Sequence, residues 1–279
     1  MKNFIIRAIT GLTFAAVLIG SILHSLESLT LLFSIVAALS IWEFGSIVNT
    51  HAGANMNRLI STVAGFYLVF ATGWFQLGLI SGRDFMPYLL TLVYLLVSEL
   101  YRKEENPLKN WAYAFASQIY IALPFALLMV LGMVGKCDFN NHYILPLSVF
   151  IFLWMSDTGA YLVGSLLSRY FPAKLFPRIS PKKSWVGSIG GGLLCLAAAW
   201  GIYAYEPKYM ELWQWMGLAL TVCIFGTWGD LVESLLKRQV GIKDSGNILP
   251  GHGGLLDRFD SSLLAIPAAV VYIYYMVCQ

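Results

Sequence analysis

This sequence is short of charge. Asp, Glu, Lys and Arg together make up 12% of its 279 residues, against about 25% in ordinary soluble domains. So few charges cannot cover a water-facing surface, which excludes a soluble globular fold. Cysteine is sparser still. Cys137, Cys195, Cys223 and Cys278 show neither pairing nor metal-ligand spacing, and three of them lie in apolar runs, where they read as small apolar fillers. A disulfide framework is thereby excluded, and the scattered placement of the four histidines argues against a zinc site. Low-complexity tracts and a soluble domain are also missing. So are the paired broken helices of an inverted-repeat transporter.

What the chain has in abundance is apolar sequence. Hydrophobic residues make up 58%, and the mean hydropathy is +0.69. This content fits about nine spans of roughly 20 residues each. They are placed at residues 4–23, 28–48, 59–82, 85–100, 111–134, 142–168, 185–205, 212–231 and 259–277. The fourth is short, and the sixth is long enough to tilt or break. Lys2 and Arg7 precede the first apolar run with no small-residue cleavage site after it, so this run is expected to be a retained span and not a signal peptide. If each span crosses once, only Arg83, Lys136 and Lys208 fall on the side opposite the N-terminus. The other fifteen of the 18 basic residues fall on the same side as the N-terminus. The positive-inside rule then predicts a cytoplasmic N-terminus and an outer C-terminus. The expected fold is an all-α polytopic membrane helix bundle, N-in/C-out. Residues 1–140 form plain structural spans, and residues 141–279 carry the chemistry at the cytoplasmic face.

Three segments of the second half could carry that chemistry. Asp157 stands among spanning residues, where a carboxylate is costly and usually faces a polar cavity, a partner or an ion. The basic, proline-punctuated stretch Arg178, Ser180, Lys182 and Lys183 runs into a glycine-rich helix start at Gly187–Gly192. Such a start offers free amides and a positive helix end to a phosphate, although Gly187 and Gly191 equally read as a helix-packing face. The third segment begins at Asp230, whose helical neighbours are Glu233, Ser234 and Lys237. It passes through a glycine-rich loop with Lys243, Asp244 and His252, and ends at Asp257, Arg258 and Asp260, which open the last span. Asp257 and Asp260 share a helix face. Together with Asp230 they offer hard oxygen ligands suited to magnesium and substrate phosphates. Helix capping accounts for two of these aspartates, but not for Asp230, the loop and the lysines together. Gathered at one membrane face, these groups suit a reaction between a water-soluble polyphosphate and a lipid head group, with metal ions clamping the displacement and lysines neutralising the departing pyrophosphate.

The last segment resembles the phosphatidate cytidylyltransferase (CDP-diacylglycerol synthase) family. That family's signature runs Ser-x-x-Lys-Arg, Lys-Asp, Pro-x-His-Gly-Gly and Asp-Arg-x-Asp. Here it is met by Ser234, Lys237, Arg238, Lys243, Asp244, Pro250, His252, Gly253, Gly254, Asp257, Arg258 and Asp260. The stretches Ser156–Tyr161 and Ser180–Lys183 are similar to further family elements. The resemblance implies transfer of the cytidylyl group of CTP to phosphatidic acid, giving CDP-diacylglycerol and pyrophosphate for phospholipid biosynthesis. It implies Mg2+, with K+ beside it, on Asp230, Asp257 and Asp260. It also implies Lys182, Lys183, Arg178 and Lys237 on phosphates, Asp157 lining the polar cavity, and Ser180, Ser234, Arg238, Lys243, Asp244 and Arg258 as further substrate contacts. His252 either acts on a proton or positions the loop. The setting implied is a bacterial inner (plasma) membrane, with membrane lipid as neighbour and substrate. A homodimer built on the plain N-terminal spans is expected, and no nucleic-acid partner. In one respect the chain departs from the pattern: Val186 stands where many relatives carry glutamate, whose task is then either unfilled here or done by another acid such as Glu233. Two other readings remain at this point: a CTP-dependent enzyme acting on another lipid or lipid phosphate, and a transporter using Asp157 and Glu43. A transporter predicts polar residues spread through the membrane depth, whereas these crowd one face.

Overall fold

The computed structural model describes residues 2–134, 142–246, 248–249, 251 and 253–277, with side chains from residue 9 onward. His252, Pro250, Lys136, Cys137 and Cys278, named above, lie outside the described residues. The chain is helical nearly throughout: α1 (Lys2–His24), α2 (Leu26–His51), α3 (Arg58–Gln76), α4 (Met86–Tyr101), α5 (Pro107–Ser117), α6 (Leu123–Leu131), α7 (Ile144–Leu167), α8 (Trp185–Tyr205), α9 (Leu212–Gln239) and α10 (Leu256–Met276). Among the described residues eight helical segments are long and apolar enough to cross a membrane, and α1 adds the shorter apolar stretch Ile9–His24. The all-α membrane bundle expected from composition is therefore what the chain forms.

Local sequence explains where the helices differ from the expected spans. The third ends at Gln76 because Gly78 takes a left-handed φ of 72°, the glycine-terminated stop common at helix ends. The fourth is lengthened by a 3-10 turn, Gly82–Phe85. It buries only Leu95 and Glu99, and its remaining apolar surface faces outward, as a lipid-contacting helix requires. The fifth joins α5 and α6 through a π turn at Gln118–Ala122, two residues before Pro124, whose ring nitrogen cannot donate to the ladder. The sixth, α7, runs unbroken for 24 residues.

The chain divides into two units. The first comprises residues 1–130 and 239–259. Its centre is an aromatic cluster in which Phe33, Phe125 and Phe259 pack with ring centroids 5.4 to 5.7 Å apart. In the same unit Glu99 is buried and takes Arg102 at 2.7 Å and Asn110 at 2.8 Å, tying α4 to α5. The glycine-rich loop after α9 thus groups with the N-terminal helices.

The second unit comprises residues 131–238 and 260–279. Here α7 and α8 lie backbone to backbone. A Cβ on Gly159 would stand 2.6 Å from the Gly190 carbonyl oxygen, and one on Gly191 2.7 Å from that of Ser156. The glycine run is therefore a packing face. We expect G191A to cost about 1–3 kcal/mol through overpacking, read as a lower unfolding temperature in detergent with no change in span count. Two short antiparallel strands, β1 (Lys174–Phe176) and β2 (Ser180–Ser184), form a hairpin between α7 and α8.

Candidate functional site

Within the second unit, three elements bring chemistry together: the second half of α7, the β1–β2 hairpin and the end of α9. They enclose a cavity of about 490 Å³, lined among others by Ser156, Asp157, Lys174, Lys182, Lys183 and Thr227. Asp157 is a lining residue, as the sequence implied. Lys182 and Lys183 enter from β2, whereas Arg178 and Ser180 lie outside the lining. Ser184 ends the strand and fixes the turn into α8. Its hydroxyl accepts the Gly187 amide at 3.2 Å and meets Ser168 Oγ at 3.0 Å. One of the first-turn amides that a phosphate would have used is therefore already capped.

One charge pair in this unit joins hairpin to helix. Lys183 Nζ lies 2.5 Å from Asp230 Oδ2 and 3.4 Å from the Thr227 carbonyl oxygen. The other oxygen of Asp230 accepts the Ser234 hydroxyl at 3.1 Å. This bond exists because α9 continues to Gln239, eight residues past the expected end of the span. The helical offsets read from the sequence are thus realised. One turn further on, Glu233 is fully buried and pairs with Lys237 at 2.5 Å. Val186 stands in the first turn of α8.

Asp260 joins this group from α10. It lies within electrostatic reach of Asp230, Asp157 and Lys237, and its Oδ1 accepts the Ser261 amide at 2.5 Å. Close approach of α9 and α10 is made possible by Gly229, on which a Cβ would come 2.6 Å from the Asp260 carbonyl oxygen. Magnesium takes one or two carboxylates and completes its shell with water and substrate phosphates. Asp230 and Asp260 supply such hard oxygens from neighbouring helices, so the donor set fits the ion. Among the described residues no three His, Cys, Asp or Glu side chains converge enough to hold a metal ion unaided, and phosphate oxygens would have to complete its shell.

In the first unit Asp257 does different work from Asp260. Its Oδ1 and Oδ2 lie 3.1 and 3.0 Å from the Ser245 amide, and Oδ2 accepts the Gly254 amide at 3.0 Å. It closes the glycine-rich loop on the helix that follows. Lys243, Asp244 and Arg258 are exposed around that loop. Ser234, Lys237 and Arg238 share the last turns of α9.

Two features escaped the sequence. One is the hairpin, whose strands are too short and too polar to read as strands. The other is Glu43, named from the sequence only for the transporter reading, which is buried against the loop at Ser245 and Leu256. Neither contact has a sequence signal, because the partners lie some two hundred residues apart.

Comparison with known proteins points the same way. A family model described as the cytidylyltransferase family matches residues 5–276. A phosphatidate cytidylyltransferase of Staphylococcus aureus is 46% identical over 126 residues, covering 45% of this chain and 46% of that protein. One from Staphylococcus saprophyticus is 36% identical over 180 residues, 64% of this chain and 65% of that protein. A third, from Staphylococcus haemolyticus, is 42% identical over 135 residues, 48% and 50% of the two chains. The chain thus spans about half to two thirds of the length of the curated relatives it matches.

Proposed function

The chain belongs to the cytidylyltransferase family, and we propose that it transfers the cytidylyl group of CTP to phosphatidic acid. In that reaction a phosphate oxygen of the lipid attacks the α-phosphorus of CTP. The bond to the β-phosphate breaks, and CDP-diacylglycerol and pyrophosphate leave. The observation that carries the reading is the Lys183–Asp230 pair at a cavity lined by Asp157 and Lys182. Cations able to bind phosphates and carboxylates able to bind an ion meet there, in a chain built of membrane helices. Lys182 and Lys183 would hold the phosphates of CTP and neutralise charge as pyrophosphate departs. Asp230 and Asp260 would hold magnesium, with Asp257 one turn earlier on α10 as the third carboxylate of the signature and potassium as a second ion. Magnesium, when bound, polarises the phosphoryl oxygens and offsets their negative charge. Asp157, on the cavity wall and within electrostatic reach of Lys183, would help to orient its ammonium.

The same reading includes an N-in/C-out topology with the site at the cytoplasmic face of a bacterial inner membrane, supported by the skew of basic residues, and a homodimer through the N-terminal helices. Purified in detergent with CTP, phosphatidic acid and magnesium, the protein is expected to release pyrophosphate and CDP-diacylglycerol in equal amounts. Absence of both products, with lipid and ions supplied, would defeat the reading. Turnover only with a different lipid phosphate would keep the chemistry and change the acceptor.

A further inference from the structure

One buried acid has no part in the proposed chemistry. Glu43 stands in the second half of α2 and is 4% exposed. A carboxylate inside a spanning helix is costly unless it has partners, and Glu43 has specific ones. Its Oε2 accepts the Leu256 amide at 2.9 Å and the Ser245 hydroxyl at 3.4 Å. Leu256 is the first residue of α10, and the opening amides of a helix have no partner within it. A negative group there also meets the positive pole of the helix. Capping of this kind is ordinarily done by the residue just before the helix. Here that residue is Leu255, which has no side-chain acceptor, and an acid from another helix does the work.

Shape binds the loop to the same acid. A Cβ on Gly246 would collide with the Glu43 carboxylate, and one on Gly254 would lie 2.9 Å from its Oε2. Ser245 links the two acids of the loop, giving its hydroxyl to Glu43 and its amide to Asp257. Any movement of Ser245 away from Glu43 therefore moves one of the amide donors that set the direction of the Asp257 carboxylate.

We propose that Glu43 is a positioning residue for cytidylyl transfer: it fixes the two ends of the loop, Ser245–Gly246 and Gly254–Leu256, and through Ser245 it orients Asp257. This rests on the function proposed above, and it gives a site role to a helix otherwise expected to be structural. The test uses the full chain in detergent, with E43A, E43Q and S245A compared to wild type. Hydrogen exchange is measured without substrate or metal, and turnover is measured separately. In E43A, the amides of Ser245, Gly246, Gly254 and Leu256 are expected to exchange roughly tenfold faster, while α7 and α8 keep wild-type protection. The kcat is expected to fall roughly 10- to 100-fold, with KM for CTP within about twofold of wild type. E43Q keeps an acceptor but not the charge and should fall between the two. S245A, which breaks the link itself, should lose kcat in the same direction.

Faster exchange spread evenly over all helices would show a merely structural acid and overturn the proposal. Unchanged kcat with a loosened loop would also overturn it. If E43A does not fold, E43Q and S245A decide the question, and wild-type exchange and turnover in both would sink it. Wild-type protein inactive on CTP and phosphatidic acid would defeat the functional reading alone, since the exchange data would still decide whether Glu43 holds the loop.

Discussion

Replacing Asp260 with asparagine is expected to lower CDP-diacylglycerol formation by roughly 100- to 1,000-fold, the loss typical of removing one preorganised electrostatic partner of the transition state. The side chain keeps its size, so the effect isolates charge. Asp260 lies within reach of two other acids, Asp230 and Asp157, with Lys237 as a compensating cation. Like charges held together away from bulk water destabilise the fold in the absence of a counter-ion. Removing one of them relieves that repulsion. The unfolding temperature of D260N without magnesium should therefore equal or exceed that of wild type while activity collapses. Activity lost together with stability would point to misfolding. A change in rate below about threefold would remove Asp260 from the machinery. Because Gly229 packs against the Asp260 main chain and not its side chain, the substitution leaves the α9–α10 approach intact.

Much of this arrangement is legible in the sequence, for identifiable reasons. A membrane leaves backbone amides no partner but their own helix, so apolar runs translate into helices almost residue for residue, as Trp185–Tyr205 does. The end of α9 is legible because helical offsets of three, four and seven from Asp230 continue past the apolar run, and the Ser234–Asp230 bond is their outcome. The pairing of Lys183 with Asp230 is another matter. It depends on a hairpin whose strands carry Pro181 and two lysines, residues poor in strand propensity, so the sequence presents this stretch as a basic loop. The equivalence of Asp257 and Asp260 is also only half visible. Spacing puts them on one helix face, but which of them meets loop amides depends on where Ser245 and Gly254 fold back. Glu43 is the extreme case, since a buried acid announces that it needs a partner without saying which.

Lys183 offers the sharpest test of the catalytic reading after Asp260. Its ammonium bridges the hairpin to Asp230 and faces the cavity that Asp157 lines. Methionine at this position keeps the length and loses the charge, and K183M is expected to reduce kcat/KM for CTP by roughly 100-fold. Stability should barely move. With side chains 25% and 32% exposed, a solvent-screened pair of this kind contributes about 1 kcal/mol or less. Arginine is not expected to rescue, because a planar fork cannot reproduce a point charge 2.5 Å from one carboxylate oxygen, so K183R should stay below about a tenth of wild-type turnover. The division of the loss between constants carries the argument further. If KM for CTP rises while kcat holds, Lys183 binds the nucleotide equally in ground and transition states. If kcat falls and KM holds, the cation acts where negative charge builds up on departing pyrophosphate, and its salt bridge to Asp230 is the resting position of a group that moves onto the phosphate. In that case D230N should leave KM nearly unchanged and lower kcat more than K183M does, because it removes both the anchor of the lysine and a proposed magnesium ligand.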